Sequence, residues 1–147
     1  MIGLLLAAGV AGAASAAPFE AVDATAEFFM LVDQATMART GSVVEADILI
    51  VPAEGEILLA RMSFDCTGRV YRQRSSRAVK EDFQLMPSVA AAGRANPAPT
   101  GTLGGSLLDR VCFNKKAKPT AGWTQPTLGQ AITSARAVLA RIAAKPG

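Results

Sequence analysis

The clearest pattern in the chain runs from Glu56 to Arg74, EILLARMSFDCTGRVYRQR, where Leu58, Ala60, Met62, Phe64 and Cys66 alternate with Leu59, Arg61, Ser63 and Asp65. A period of two puts each set on its own side of a strand, so the segment reads as a core strand with one buried face. Thr67-Gly68 follows as a tight turn, glycine tolerating the positive φ that such turns often need. Arg69 to Arg74 then returns antiparallel, which leaves Cys66 beside the turn of a hairpin. Upstream, Val43 to Val51 alternates through Val44, Ala46, Ile48 and Ile50 and stops at Pro52, which has no N–H to give to a ladder. Glu27 to Arg39 opens on an apolar run, continues with mixed polarity, and enters a turn at Thr40-Gly41. Short connections join these segments into an antiparallel meander, and a weaker fifth strand is expected around Ala78 to Met86.

The pattern changes after Met86. Pro87 to Gly105 is rich in Pro, Gly, Ala, Asn and Thr with no helical period, and reads as an irregular connection. Ser106 is expected to cap a short helix through Cys112, with Leu108, Val111 and Cys112 on the side that faces the sheet. Past a basic link from Lys115 to Trp123, Pro126 to Ala144 shows the clearest helical period. Thr127 and Gln130 have capping-box spacing, and Leu128, Ala131, Ile132, Ala135, Val138, Leu139 and Ile142 make one apolar stripe. The expected fold is therefore α+β: an antiparallel meander sheet of about four to six strands, a short helix carrying Cys112, and a C-terminal amphipathic helix that covers an apolar sheet face.

Composition sharpens this reading at two places. Ile2 to Ala13 is an uncharged apolar run followed by Ser15-Ala16-Ala17, the small-x-small pattern of a signal-peptide cleavage site; the alternative is a buried Ala-rich helix. The expectation is a signal peptide over residues 1–17 and one α+β domain over 18–147, exported to the periplasm or the cell surface. The run is shorter than a comfortable membrane span, so no stable span is expected after cleavage. The chain holds two cysteines, Cys66 and Cys112, which suits one disulfide in an oxidising compartment, against the alternative of two unrelated buried thiols.

Charge and chemistry narrow the function. The net charge is +3, but acids dominate up to Glu56 and bases after it. Adjacent acidic and basic strands pairing across the ladder would account for this, as would an anion-binding face. Arg61, Arg69, Arg72, Arg74, Arg77 and Lys80 cluster with Tyr71 within twenty residues. They are the candidate surface for an anionic partner, whether an envelope or extracellular protein or an anionic glycan; strand alternation would instead scatter them over both faces. Nucleic acid is not an expected partner of an exported protein. With no histidine, Ser-His and Cys-His nucleophiles are excluded in this chain, and without a CxxC pair neither metal nor cofactor is expected. Ser76 precedes Lys80 by one position too many for a Ser-x-x-Lys arrangement.

Phe64-Asp65-Cys66, Arg69-Val70-Tyr71-Arg72 and Gly105-Ser106-Leu107-Leu108-Asp109-Arg110-Val111-Cys112, with Val32-Asp33 and Arg39-x-Gly41 upstream, resemble the surface-adhesin protein E family of bacterial envelope proteins. The resemblance spans about residues 27 to 112 and leaves the C-terminal helix outside. It implies a twisted antiparallel sheet with a helix tied to it by a disulfide, a cell-envelope location and, in pathogens, adhesion to host matrix proteins. Here Gly104-Gly105-Ser106 stands where the family has Pro-Gly-Ser. The expected function is that of a non-enzymatic, adhesin-like binding protein; the alternative is a periplasmic hydrolase or small-ligand carrier. A deep pocket with buried carboxylates would favour the alternative, and a flat or grooved sheet face would favour binding.

Overall fold

The computed structural model describes residues 18–116 and 123–145, so the expected leader at residues 1–17 lies outside the described residues. Five long strands, β1 (Phe19–Ala24), β2 (Phe28–Thr40), β3 (Val43–Pro52), β4 (Ile57–Asp65) and β5 (Val70–Val79), form an antiparallel meander. Three two-residue pieces extend it: β6 (Val89–Ala90) and β7 (Asn96–Pro97) pair with β5, and β8 (Thr124–Gln125) pairs with β1. The sheet thus has eight strands, more than the four to six expected. The helices are α1 (Leu103–Phe113) and α2 (Leu128–Ala144).

β1 has no counterpart in the alternation pattern because Glu20 and Asp23 make it read as polar. Both carboxylates are buried, and both have partners on α1. The broken alternation of β2 also has a physical origin. Asp33 pairs with Asp47 and Ala38 with Glu45, so Gln34 to Met37 loop out opposite a single residue of β3. Thr36 pins this bulge, its hydroxyl donating to the Asp33 carbonyl at 2.8 Å and accepting from the Asp47 N–H at 2.9 Å.

The segment expected as a fifth strand, Ala78 to Met86, is instead the end of β5 and a turn. Val79 makes one bridge to Leu85, and Phe83 takes a left-handed φ of 66° between them. The connection from Pro87 to Gly105 is less irregular than its composition implies, since β6 and β7 both lie in it. In the β4–β5 turn the positive φ falls on Arg69 (50°) rather than on Gly68. Gly68 is required for room: a Cβ there would lie 2.8 Å from the carboxylate of Asp65, which accepts the Thr67 and Gly68 N–H groups.

The two helices lie on opposite faces of the sheet. On one face Val32, Ile48, Ala60, Met62 and Phe64 pack with Leu107, Leu108, Val111 and Cys112 of α1. On the other, Phe29, Leu31, Leu49, Val51 and Leu59 pack with Ala131, Ile132, Ala135 and Leu139 of α2. These two sets alternate along β4, as the pleat demands, so both faces carry a core. The disulfide Cys66–Cys112 ties the end of α1 to the end of β4. Beside it Arg39 donates to the Cys112 carbonyl at 2.7 Å.

The cap of α1 is a correction. Thr102, not Ser106, is the N-cap, its side chain accepting the Gly105 N–H at 3.1 Å. Ser106 is a buried residue of the first turn, and its hydroxyl donates to Asp23 at 2.8 Å. The helix starts earlier because Gly104 and Gly105 lie within it. A Cβ on Gly105 would fall 2.0 Å from the Pro99 carbonyl oxygen, and one on Gly104 would fall 2.6 Å from the Tyr71 ring. For α2 the expected cap holds: Thr127 accepts the Gln130 N–H at 3.2 Å and donates to the Gln130 side-chain oxygen at 3.1 Å.

Candidate functional site

Each helix covers only part of its face, and the uncovered parts differ in chemistry. On the α2 face the open end carries Glu45, Asp47, Arg61, Ser63, Asp65 and Arg72. Arg61 bridges Asp47 at 3.2 Å and Glu45 at 3.4 Å, and donates to the Thr36 carbonyl at 3.1 Å. Arg61 of β4 therefore does pair across the ladder with the acids of β3, as one reading of the charge asymmetry expects. Asp33 stands opposite Asp47, and its carboxyl is held above the ordinary value, first by burial. The Ala35 N–H pulls it back down, and the like charge of Asp47 pushes it up.

On the α1 face the open end is apolar. Met30, Ile50, Leu58 and Ala78 sit in register across β2, β3, β4 and β5. Between this row and the first turns of α1 lies a groove of about 400 Å³, walled by Leu103 and Leu107. Tyr71 and Gln73 of β5 supply its polar groups; no charged residue lines it. Tyr71 stacks obliquely on Phe64, ring centroids 6.3 Å apart, and is held there by the missing side chain of Gly104. The groove was not legible in the sequence, because Met30, Ile50 and Leu58 look like any other core positions of their strands.

The residues expected to meet an anionic partner do not share one surface. Arg69 ion-pairs with Asp109 at 2.8 Å and donates to the Ala98 carbonyl, clamping the loop before α1 to the hairpin. Tyr71 faces α1, whereas Arg72 faces the other side and donates to the Gly93 carbonyl at 3.0 Å. A bulge shifts the alternation after Gln73, since Met62 pairs with Gln73 but Arg61 pairs with Ser75. Arg74, the extra residue, is exposed and lines the same depression as Arg72. Arg77 is exposed, with its Nε donating to the Met86 carbonyl at 2.9 Å, and Lys80 is exposed just beyond the strand. Among the described residues, Arg74, Arg77 and Lys80 have no carboxylate partner, unlike Arg61, Arg69 and Arg110.

Glu20 and Asp23 are the buried carboxylates that a hydrolytic site would need, and both are engaged structurally. Glu20 accepts two donors of Arg110, and Asp23 accepts the Ser106 hydroxyl. Among the described residues no group of three or more His, Cys, Asp or Glu side chains is placed to hold a metal ion. No described helix is long and apolar enough to cross a membrane. Comparison with models of known families, with characterised proteins and with solved structures finds no significant match for the chain.

Proposed function

We infer that the protein is an exported, non-enzymatic binding protein of the cell envelope, of the surface-adhesin protein E type, and that it meets an anionic partner along the outer edge of β5. The observation that carries this reading is the set of exposed cations without carboxylate partners, Arg74 and Arg77 on β5 and Lys80 just past its end. Arg61 and Arg69 of the hairpin are neutralised by carboxylates, whereas Arg74, Arg77, which bonds only the Met86 carbonyl, and Lys80 keep an uncompensated charge at exposed positions. A disulfide joining two elements suits an oxidising compartment, which supports export. The partner is an anionic glycan or an acidic face of an envelope or extracellular protein.

Heparin and lipopolysaccharide serve as probes. Binding to immobilised heparin should weaken clearly as salt rises, because exposed charges separated by more than about 8 Å are screened at physiological ionic strength. The triple variant Arg74→Ser, Arg77→Ser, Lys80→Ser should bind at least several-fold more weakly with little change in melting temperature, since exposed unpaired cations contribute little to folding. Equal binding by variant and parent, or binding indifferent to salt, would discard the reading.

A further inference from the structure

We propose that the groove on the α1 face is a binding site for a single-chain lipid bearing an uncharged, hydrogen-bonding head group. Size and shape come first. About 400 Å³ lies within the range of small-molecule sites. The floor runs obliquely from Tyr71 and Gln73 of β5 over Met62 and Leu58 of β4 and Ile50 of β3 to Met30 of β2, three inter-strand steps, or roughly 14 Å across the sheet. A site that is long and apolar suits a chain better than a ring system. The thioether of Met30 adapts to a chain that lies in more than one way.

Polarity sets the head group. Tyr71 and Gln73 lie two residues apart on β5, so both side chains point to the same face at one end of the groove. Neither the Tyr71 hydroxyl nor the Gln73 amide bonds to a described residue. Together they offer donors and acceptors to a hydroxyl, ester or amide. With no cation lining the groove, a carboxylate or phosphate head would have to leave water without a charged partner, which is costly. The aliphatic tail then runs away from β5 over Leu58 and Ile50 toward Met30.

This site is separate from the anionic-partner residues, none of which lines it. The test is calorimetric titration of the full exported chain with monoacylglycerols of eight, ten and twelve carbons, kept below their micelle concentrations. Affinity should rise with chain length by as much as about fourfold per methylene until the groove is full. Decanoate at neutral pH should bind at least tenfold more weakly than the ten-carbon monoacylglycerol. Leu58→Trp, which fills the floor from a half-buried position, should abolish binding. Gln73→Leu should keep the chain-length dependence but shrink the preference over decanoate. Were Leu58→Trp to disturb the fold, Ile50→Phe fills the same space more conservatively. Affinity that ignores chain length, or that survives a folded groove-filling variant, overturns the proposal. Loss of heparin binding in the Arg74, Arg77, Lys80 variant with lipid binding intact would show that the two sites stand or fall separately.

Discussion

Glu20 of β1 and Arg110 of α1 form a buried ion pair, with Arg110 Nε donating to the Glu20 carboxylate at 2.8 Å and its Nη2 donating to the same oxygen. Their side chains keep only 4% and 10% of their exposure, so the pair is sealed between the first strand and the helix. Four residues earlier on α1, Ser106 bonds Asp23, so β1 is fastened to α1 by polar contacts at two adjacent turns. Removing one partner of a buried pair leaves the other charge uncompensated. Glu20→Ala should cost about 3–5 kcal/mol in urea unfolding. The double variant Glu20→Leu, Arg110→Met should recover most of that loss, because an apolar pair of similar volume needs no desolvation of charge.

The disulfide gives a second expectation. Cys66 and Cys112 are 46 positions apart, and closing a loop of that length restricts the unfolded chain by about 4 kcal/mol in the entropic model. Unfolding in urea with and without reductant should differ by a large part of that amount. The oxidised protein should show no reactive thiol on titration. Two reactive thiols in the native protein would contradict both the bond and the export proposed from it.

The C-terminal helix should behave as part of the core. Leu139 is 4% exposed among Ala131, Ile132 and Ala135 against the α2 face of the sheet, and truncating such a side chain leaves a cavity. Leu139→Ala should cost about 2–5 kcal/mol. Ile142 lies on the same stripe but is only half-buried, so Ile142→Ala should cost clearly less. Equal, negligible losses at both positions would mean that α2 does not hold the sheet in solution.

Much of this architecture is legible in the sequence, and the exceptions share a cause. The alternation of β3 and β4, the β4–β5 hairpin and the α2 stripe are set by period and turn residues, and they appear where expected. β1 was hidden because burial of Glu20 and Asp23 depends on Arg110 and Ser106, which are far away in sequence. The full length of β5 is not visible in the sequence because its edge partners, Val89–Ala90 and Asn96–Pro97, are too brief to announce themselves. The Ser106 cap failed for the same reason. A good capping residue was read locally, while a tertiary bond to Asp23 had already claimed its hydroxyl. The basic cluster was visible as composition, but which of its members remain available depended on Asp109, Gly93 and the bulge at Arg74.

Gly105 offers a sharper test of the start of α1 than any cap substitution. Its Cα faces the Pro99 carbonyl so closely that an added Cβ would meet backbone oxygen and carbon at 2.0 and 2.8 Å, and backbone cannot swing aside as a side-chain tip can. Gly105→Ala should therefore destabilise by at least the 1–3 kcal/mol typical of overpacking, despite the better helix propensity of alanine. Gly104→Ala meets only the Tyr71 ring, at 2.6 Å. It should cost less overall, while displacing Tyr71 in the groove.

Asp33 supplies the pH-dependent prediction. Burial raises its carboxyl above the ordinary value of 3.8 and Asp47, directly opposite on β3, adds to the rise, while the Ala35 N–H opposes it. An acid whose folded value is raised binds its proton more tightly in the native state than in the unfolded one. Between the ordinary value and the raised one, the native state therefore holds more protons, and this group's contribution to stability falls as pH rises through that window. At neutral pH ionised Asp33 is a net cost. Asp33→Asn keeps an oxygen to accept the Ala35 N–H and removes the like-charge pair, so it should stabilise the protein at pH 7 by about 0.2–1 kcal/mol. The gain should vanish below the ordinary carboxylate range, where the parent's Asp33 is protonated in both states. Melting temperatures of parent and variant measured from pH 3 to pH 8 would show the two curves converging at the acid end. A variant less stable than the parent at every pH would mean that the Asp33 carboxylate has a favourable partner that outweighs its burial.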